Sequence, residues 1–423
     1  MRMKHLFRAL SLVLAASLLG TLPGCLRAKV IPALTFADRD IAAGYEVGDL
    51  SGFKTGRFNR ISFTYTASAP VKVEIICTGK KGAETTEELL LSEKETQASL
   101  LLDGFLDKAT ATGLRRVRFS PLREGPCTLG VSDFTCDRQA VPDKTVYLEN
   151  GRFRLGVALD WGGAIGELTD KTQKTYGNLL NRHDTGRLVQ QSFYGPNEIE
   201  GYENGSYGGG AWGYNPVQGG DQFGNKSKLV RFEQTEDRIR IVSRPMDWAK
   251  NNAPTMTYYT NEYTLTEDGV RVENGVIDFL NTPWTPRHQE LPAFYTVSAL
   301  GTFVFYDGDK PWTDDALRYE RDLPFWGGNG DAYFTVRDGN TETWCAWVDD
   351  SDYGVGLFTP GAEILLAGRF EFNGSASAED NATNYVAPLR TFALEYGEPF
   401  SYTYYLTAGS LDEIRRTFRR QAQ

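Results

Sequence analysis

The sequence predicts an all-β protein, with an N-terminal β-sandwich followed by a much larger antiparallel β-sandwich and a short C-terminal helix. Three observations predict it. Short runs alternating apolar and polar residues recur beyond residue 35, with turn residues between them. The only convincing amphipathic helix is Ser410–Arg420, where Ser410 and Glu413 form a capping box. No repeat of fixed short period marks a propeller or solenoid. A chain of 423 residues has ample length for more than one core.

The first 24 residues read as a lipoprotein signal peptide. Arg2, Lys4 and Arg8 form a basic head, Ala9 to Leu19 is an apolar run too short to span a bilayer, and Leu22-Pro23-Gly24-Cys25 resembles a lipobox. Cleavage before Cys25 and lipidation of its sulfur would make the protein an exported, membrane-anchored lipoprotein, with residues 25–35 as a tether. Export permits disulfides, and Cys77, Cys127 and Cys136 fall together in the region that follows.

Residues 36–140 predict the smaller sandwich, from strands at Arg60–Thr66, Val71–Cys77, Gln97–Leu102, Arg115–Phe119 and Cys127–Phe134. The acidic run Glu84–Glu88 reads as a solvated hairpin end. Around Gln139–Lys144 the composition turns polar and carries a proline, which places the boundary. Residues 141–423 form the larger unit. Its predicted strands include Val146–Leu148, Phe153–Leu159, Leu229–Glu233, Arg238–Ser243, Thr257–Thr266, Val270–Phe279, Tyr295–Tyr306, Ala332–Val336, Thr343–Val348, Val355–Thr359 and Phe400–Leu406. So many strands in one unit suggest two large sheets packed face to face. All eight tryptophans lie in this unit, so the chemistry is sought there.

The net charge of −10 carries no basic cluster, which argues against nucleic acid as a partner, since phosphate must be neutralised. No Cys/His spacing suggests a metal site, no GxGxxG, P-loop or GxSxG motif has a convincing context, and no cofactor is predicted. Asp349-Asp350-Ser351-Asp352 reads as a solvated turn rather than a calcium loop.

The segments ENGRFRLGVALDWGGAIGELTD (149–170), TYYTNEYTLTEDGVRVENGVIDF (257–279) and FSYTYYLTAGSLDEIRRTF (400–418) resemble the galactose mutarotase-like supersandwich of carbohydrate-active proteins in strand order and texture. The resemblance covers roughly Thr145–Phe418 and implies a β-supersandwich with one sugar-facing sheet. HDTGR with QQSFYG, and W-x-x-NPVQGG, look like a block from exported bacterial members of that superfamily. The two histidines and glutamate of a mutarotase are mirrored in part by His183, His288 and Glu290.

Two segments carry the candidate site. Asn181–Gly224 is a long, glycine-rich, polar and aromatic stretch of the kind that serves function when ordered. There His183, Asp184 and Arg187 combine a proton-passing imidazole with a carboxylate and a guanidinium. Gln190 and Gln191 are adjacent, so on a strand only one faces a site. Tyr194, Glu198, Trp212, Asn215, Gln218 and Asp221 complete the segment's candidates. The second segment is Trp284–Tyr295, where His288 and Glu290 are two apart and point the same way on an extended strand. The expected catalytic set is His183, Asp184, His288, Glu290 and Asp221. The expected binding set is Arg187, Gln191, Tyr194, Glu198, Trp212, Asn215, Gln218 and Trp284, with Tyr207, Tyr214, Trp312 and Trp326 as further stacking candidates. Of Trp344 and Trp347, on opposite faces of a strand, one is expected in the core.

The predicted function is a surface-anchored enzyme on a poly- or oligosaccharide, most simply a glycoside hydrolase using acid–base catalysis. A non-catalytic glycan-binding lipoprotein and a polysaccharide lyase are the alternatives.

Overall fold

The computed structural model describes residues 28–423 except 51, 55–56, 80–81, 103–110, 143, 201 and 326–331. The predicted signal peptide, Cys25 and Trp326 lie outside the described residues.

The smaller sandwich pairs a five-stranded sheet, built on Thr128–Asp137 and Arg60–Ala67, with a four-stranded sheet built on Val71–Gly79 and Ala111–Pro121. Alternation in these strands puts one apolar face inward: Ile61, Phe63 and Tyr65 from the first sheet, Val71, Val73 and Ile75 from the second. Two expectations change here. Part of the expected tether belongs to the sandwich, because Lys29–Val30 pairs with Thr128–Asp137 and the apolar Ile31 and Leu34 are buried. The acidic run lies inside a strand, Glu84–Leu91, paired along Val71–Gly79. Glu87 is half-buried there, and burial pushes its carboxyl up to about 7, against the pull of Lys228 and Arg244. Cys77, Cys127 and Cys136 are free, buried thiols.

The larger unit is a sandwich of a ten-stranded and a nine-stranded antiparallel sheet. Leu155, Val157, Ile165, Phe294 and Val386 of the first meet Ile241, Tyr263, Val272, Trp347 and Leu406 of the second. The outer face of the nine-stranded sheet is covered twice. At one end the helix Leu411–Gln421 packs Ile414 and Phe418 on Trp344 and Phe358. Both Trp344 and Trp347 are therefore fully buried, where only one was expected. At the other end Val230, Tyr258 and Phe279 join the core of the smaller sandwich, and the Leu90 N–H donates to the Tyr258 hydroxyl at 3.1 Å.

The stretch Tyr295–Tyr306 is not one strand. Arg287–Val297 runs in the ten-stranded sheet and Thr302–Phe305 in the nine-stranded one, so the chain crosses the sandwich between them. The crossing backbone is satisfied by buried side chains. Arg369 Nη2 donates to Ser298 O at 2.8 Å, and Asn384 Nδ2 donates to Val297 O at 2.7 Å and Leu300 O at 2.8 Å. The outer face of the ten-stranded sheet is the one that carries the cavity.

Candidate functional site

A cavity of about 450 Å³ opens over the outer face of the ten-stranded sheet, within the range of roughly 300–1,000 Å³ usual for small-ligand sites. Its floor comes from four strands. Gln190 and Ser192 rise from Val189–Ser192, and His288 and Glu290 from Arg287–Val297. Tyr385 and Leu389 come from Thr383–Phe392, and Leu366 and Phe370 from Ile364–Phe370. Side chains two apart share a face, as the spacing of His288 and Glu290 predicted. A register shift between Glu290 and Phe294 then adds one residue, so Ala293 and Tyr295 face the cavity in place of the even-numbered positions.

Glu290 lies on the cavity floor. It is 4% exposed, and its Oε1 accepts from the Tyr194 hydroxyl at 3.0 Å and from the Tyr385 hydroxyl. Burial raises its pKa, and the hydrogen bonds from Tyr385, Tyr194 and Ser192 pull the other way without overcoming it. Burial and the nearby carboxyl hold Tyr194 and Tyr385 well above the ordinary tyrosine value, so both are neutral donors. A buried carboxyl with a raised pKa beside two fixed hydroxyls can exchange a proton with a bound molecule.

The walls are aromatic. The hairpin Gly205–Tyr207/Gly210–Trp212 turns through Gly208 and Gly209, whose φ values of 60° and 83° suit a tight turn that glycine enters without strain. It presents Tyr207 and Trp212, which pack edge to face at 5.2 Å. Trp248 joins them, lying so close over Gly186 that a Cβ there would sit 2.4 Å from its ring. Trp212 is oriented by its Nε1–H bond to Asn215 Oδ1 at 3.1 Å, and Asn215 Nδ2 donates to Phe193 O at 2.9 Å.

Thus Tyr194, Trp212, Asn215, His288 and Glu290 come together at the cavity. The other predicted residues lie elsewhere. His183 is exposed, its Nδ1 bound to Glu379 O at 2.8 Å. Asp184 accepts from the N–H groups of Gly186 and Arg187 in a turn, and the Arg187 guanidinium holds the loop at Asn381. This trio organises the turn beside the cavity without lining it. Gln191 points to the opposite side of the sheet from Gln190, donating to Thr260 O at 3.1 Å. Gln218 is buried with it, donating to Gly162 O and Asn261 Oδ1. Asp221 is fully buried and accepts from the N–H groups of Phe223, Asn225 and Asn252, so it shapes a loop. Glu198 is exposed outside the cavity. Trp284 is buried against Tyr214, with its Nε1–H on Asp278.

Sequence reasoning gave no role to Trp248, Tyr295, Tyr333, Tyr385, Phe370 or Arg287, all of which line the cavity. Tyr385 was the hardest to find, since its strand carried no clean alternation: Thr383–Leu389 is buried on both faces. Among the described residues no group of three or more His, Cys, Asp or Glu side chains converges in a way that suits a metal ion.

No protein-family model matches the chain, and no curated protein matches its sequence. Solved structures do. A galactose mutarotase related enzyme from Lactobacillus acidophilus shares 12% identity at a TM-score of 0.40, covering 63% of this chain and 97% of that one. A 4-alpha-glucanotransferase from Thermococcus litoralis shares 13% identity at a TM-score of 0.27, covering 63% of this chain and 37% of that one. A galactose mutarotase-like protein from Lactobacillus casei shares 13% identity at a TM-score of 0.38, and the match spans 63% of this chain and 100% of that one.

Proposed function

We propose that this protein binds a poly- or oligosaccharide in the cavity and cleaves a glycosidic bond there by acid–base catalysis. The observation that carries the reading is Glu290, a buried carboxyl with a raised pKa between two tyrosine hydroxyls on the floor of an aromatic-walled cavity. Aromatic faces stack on sugar rings, and the hydroxyls and amides nearby pair with sugar hydroxyls. Hydrolysis by the usual route uses two carboxylates across one bond. Glu290 is the only carboxylate among the described lining residues, so the reading assigns it as proton donor and His288 as proton acceptor for water.

The test is product analysis against a panel of plant, host and bacterial glycans. New reducing ends are expected from the native chain, falling roughly 10²–10⁴-fold in Glu290→Gln and in His288→Ala. Unsaturated products instead would replace hydrolysis with elimination. One observation favours a second reading, a non-catalytic glycan receptor: the Oε1 of Glu290 is already held by Tyr194 and Tyr385. Glycan binding without any product would support that reading and defeat the enzymatic one.

The leader and Cys25 support export with a lipid anchor at the membrane. Labelled fatty acid should enter the native protein and not Cys25→Ala, and equal labelling of both would overturn the anchor.

A further inference from the structure

We infer that the sugar bound in this cavity carries an anionic substituent, a carboxylate or a sulfate ester, held at the cavity mouth by the guanidinium of Arg287. The inference deepens the sugar-binding reading and rests on it. Arg287 is the only lysine or arginine among the described residues that line the cavity. Among the described residues it has no carboxylate partner. Its contacts are two long ones, from Nη1 to Asn197 Oδ1 at 3.4 Å and from Nη2 to Thr285 Oγ1 at 3.4 Å. The arginines flanking the His183–Asp184 turn are held more tightly: Arg182 Nε donates to Glu379 at 2.6 Å, and Arg187 Nη2 to Asn381 Oδ1 at 3.0 Å.

That contrast matters in a chain with 55 acidic residues against 45 basic ones, where a pairing carboxylate is easily supplied. A planar guanidinium with free N–H groups is suited to two oxygens of one anion, which it binds side by side. His288 stands next to it and also lines the cavity, with Nδ1 engaged by Thr391 Oγ1 at 3.0 Å and no recorded partner on Nε2 among the described residues. On that side the nearest carboxylate in the hydrogen-bond network, Glu363, accepts from the Thr391 N–H at 3.0 Å. On the floor, Glu290 is pushed by burial toward its neutral form, which lowers the repulsion an anion would meet. The mouth therefore has a cationic fork, while the floor and walls are aromatic and hydroxylic.

The experiment is calorimetric binding to the full chain with paired probes. One arm uses oligouronides of galacturonate, glucuronate and mannuronate–guluronate, each beside its carboxyl-reduced counterpart. The other uses sulfated galactan oligosaccharides beside their desulfated forms. At least one anionic probe should bind about tenfold or more tighter than its neutral partner, and the gap should shrink as salt is added. The arm in which it appears identifies carboxylate or sulfate. Arg287→Gln should erase the preference, and Arg287→Lys should keep part of it. Neutral probes binding as tightly as charged ones would overturn the inference and leave the sugar site standing, as would a preference that survives Arg287→Gln. Binding of no probe from either arm would overturn the sugar site and this inference together.

Discussion

At the scale of single residues, the carboxyl of Glu290 ties structure to chemistry. Its pKa is raised by burial and lowered by its hydroxyl donors, because a hydrogen bond to a carboxylate favours the charged form. Removing one donor in Tyr385→Phe should therefore raise the pKa further. If protonated Glu290 is the acid, activity falls as pH rises through that pKa, and the alkaline limb of the pH–rate profile should move to higher pH in the variant. A limb that moves to lower pH would exclude Glu290 as the titrating acid. Part of this site was legible in the sequence: the two-residue spacing of His288 and Glu290 gave their shared face, and Trp212 and Asn215 came from the glycine-rich segment. His183, Asp184 and Arg187 looked like a catalytic cluster because adjacency in sequence resembles adjacency in space. In the fold their polar groups serve a turn and the loop at Glu379–Asn381.

At the scale of elements, the strand Gly269–Asp278 ends on a buried carboxyl that packs the second segment in place. Asp278, 1% exposed, accepts from Thr257 Oγ1 at 2.7 Å, Leu280 N at 3.0 Å and Trp284 Nε1 at 3.0 Å. Burial nevertheless pushes its pKa up to about 6. A folded-state pKa above the unfolded value means that folding takes up a proton, so this group's contribution is present at low pH and lost as pH rises through about 6. Between pH 7 and pH 4 the native protein should gain about 2.5 kcal/mol relative to Asp278→Asn, most of the roughly 3 kcal/mol that a shift of about two units at about 1.4 kcal/mol each allows. Denaturant unfolding at both pH values measures it, and parallel pH dependences would refute it. Most strands of the larger unit were legible because one face meets the core. The failures share a cause. Glu84–Leu91 reads as polar because its acidic side chains pair with individual basic ones, Glu84 with Arg115 and Arg116 and Glu88 with Lys72 and Arg244, and Tyr295–Tyr306 reads as continuous because buried Arg369 and Asn384, distant in sequence, let the chain change sheets.

At the scale of the whole molecule, the smaller sandwich and the nine-stranded sheet share a seam. Val230, Tyr258 and Phe279 are buried in the small sandwich's core, Gln139 Nε2 donates to Phe232 O at 2.7 Å, and Arg244 lies 3.8 Å from Glu88. Shared apolar burial couples the stability of the two parts. Calorimetry of the native chain should show one unfolding transition, and Tyr258→Ser, which removes a ring and a hydrogen bond from the seam, should split it in two. Two transitions already present in the native chain would refute the coupling. The order of the chain explains why the seam escaped sequence reading: Tyr258 sits in a regular alternation whose outward face looks like surface until a second sandwich covers it.

The placement of the tryptophans has an optical consequence. Trp344 and Trp347 are sealed in the interior, while Trp212 and Trp248 stand in the cavity wall. A ligand entering the cavity changes the solvent around the second pair and leaves the first pair in its dry surroundings. Intrinsic emission thus contains its own reference: a steady, buried component against which occupancy is read without any label.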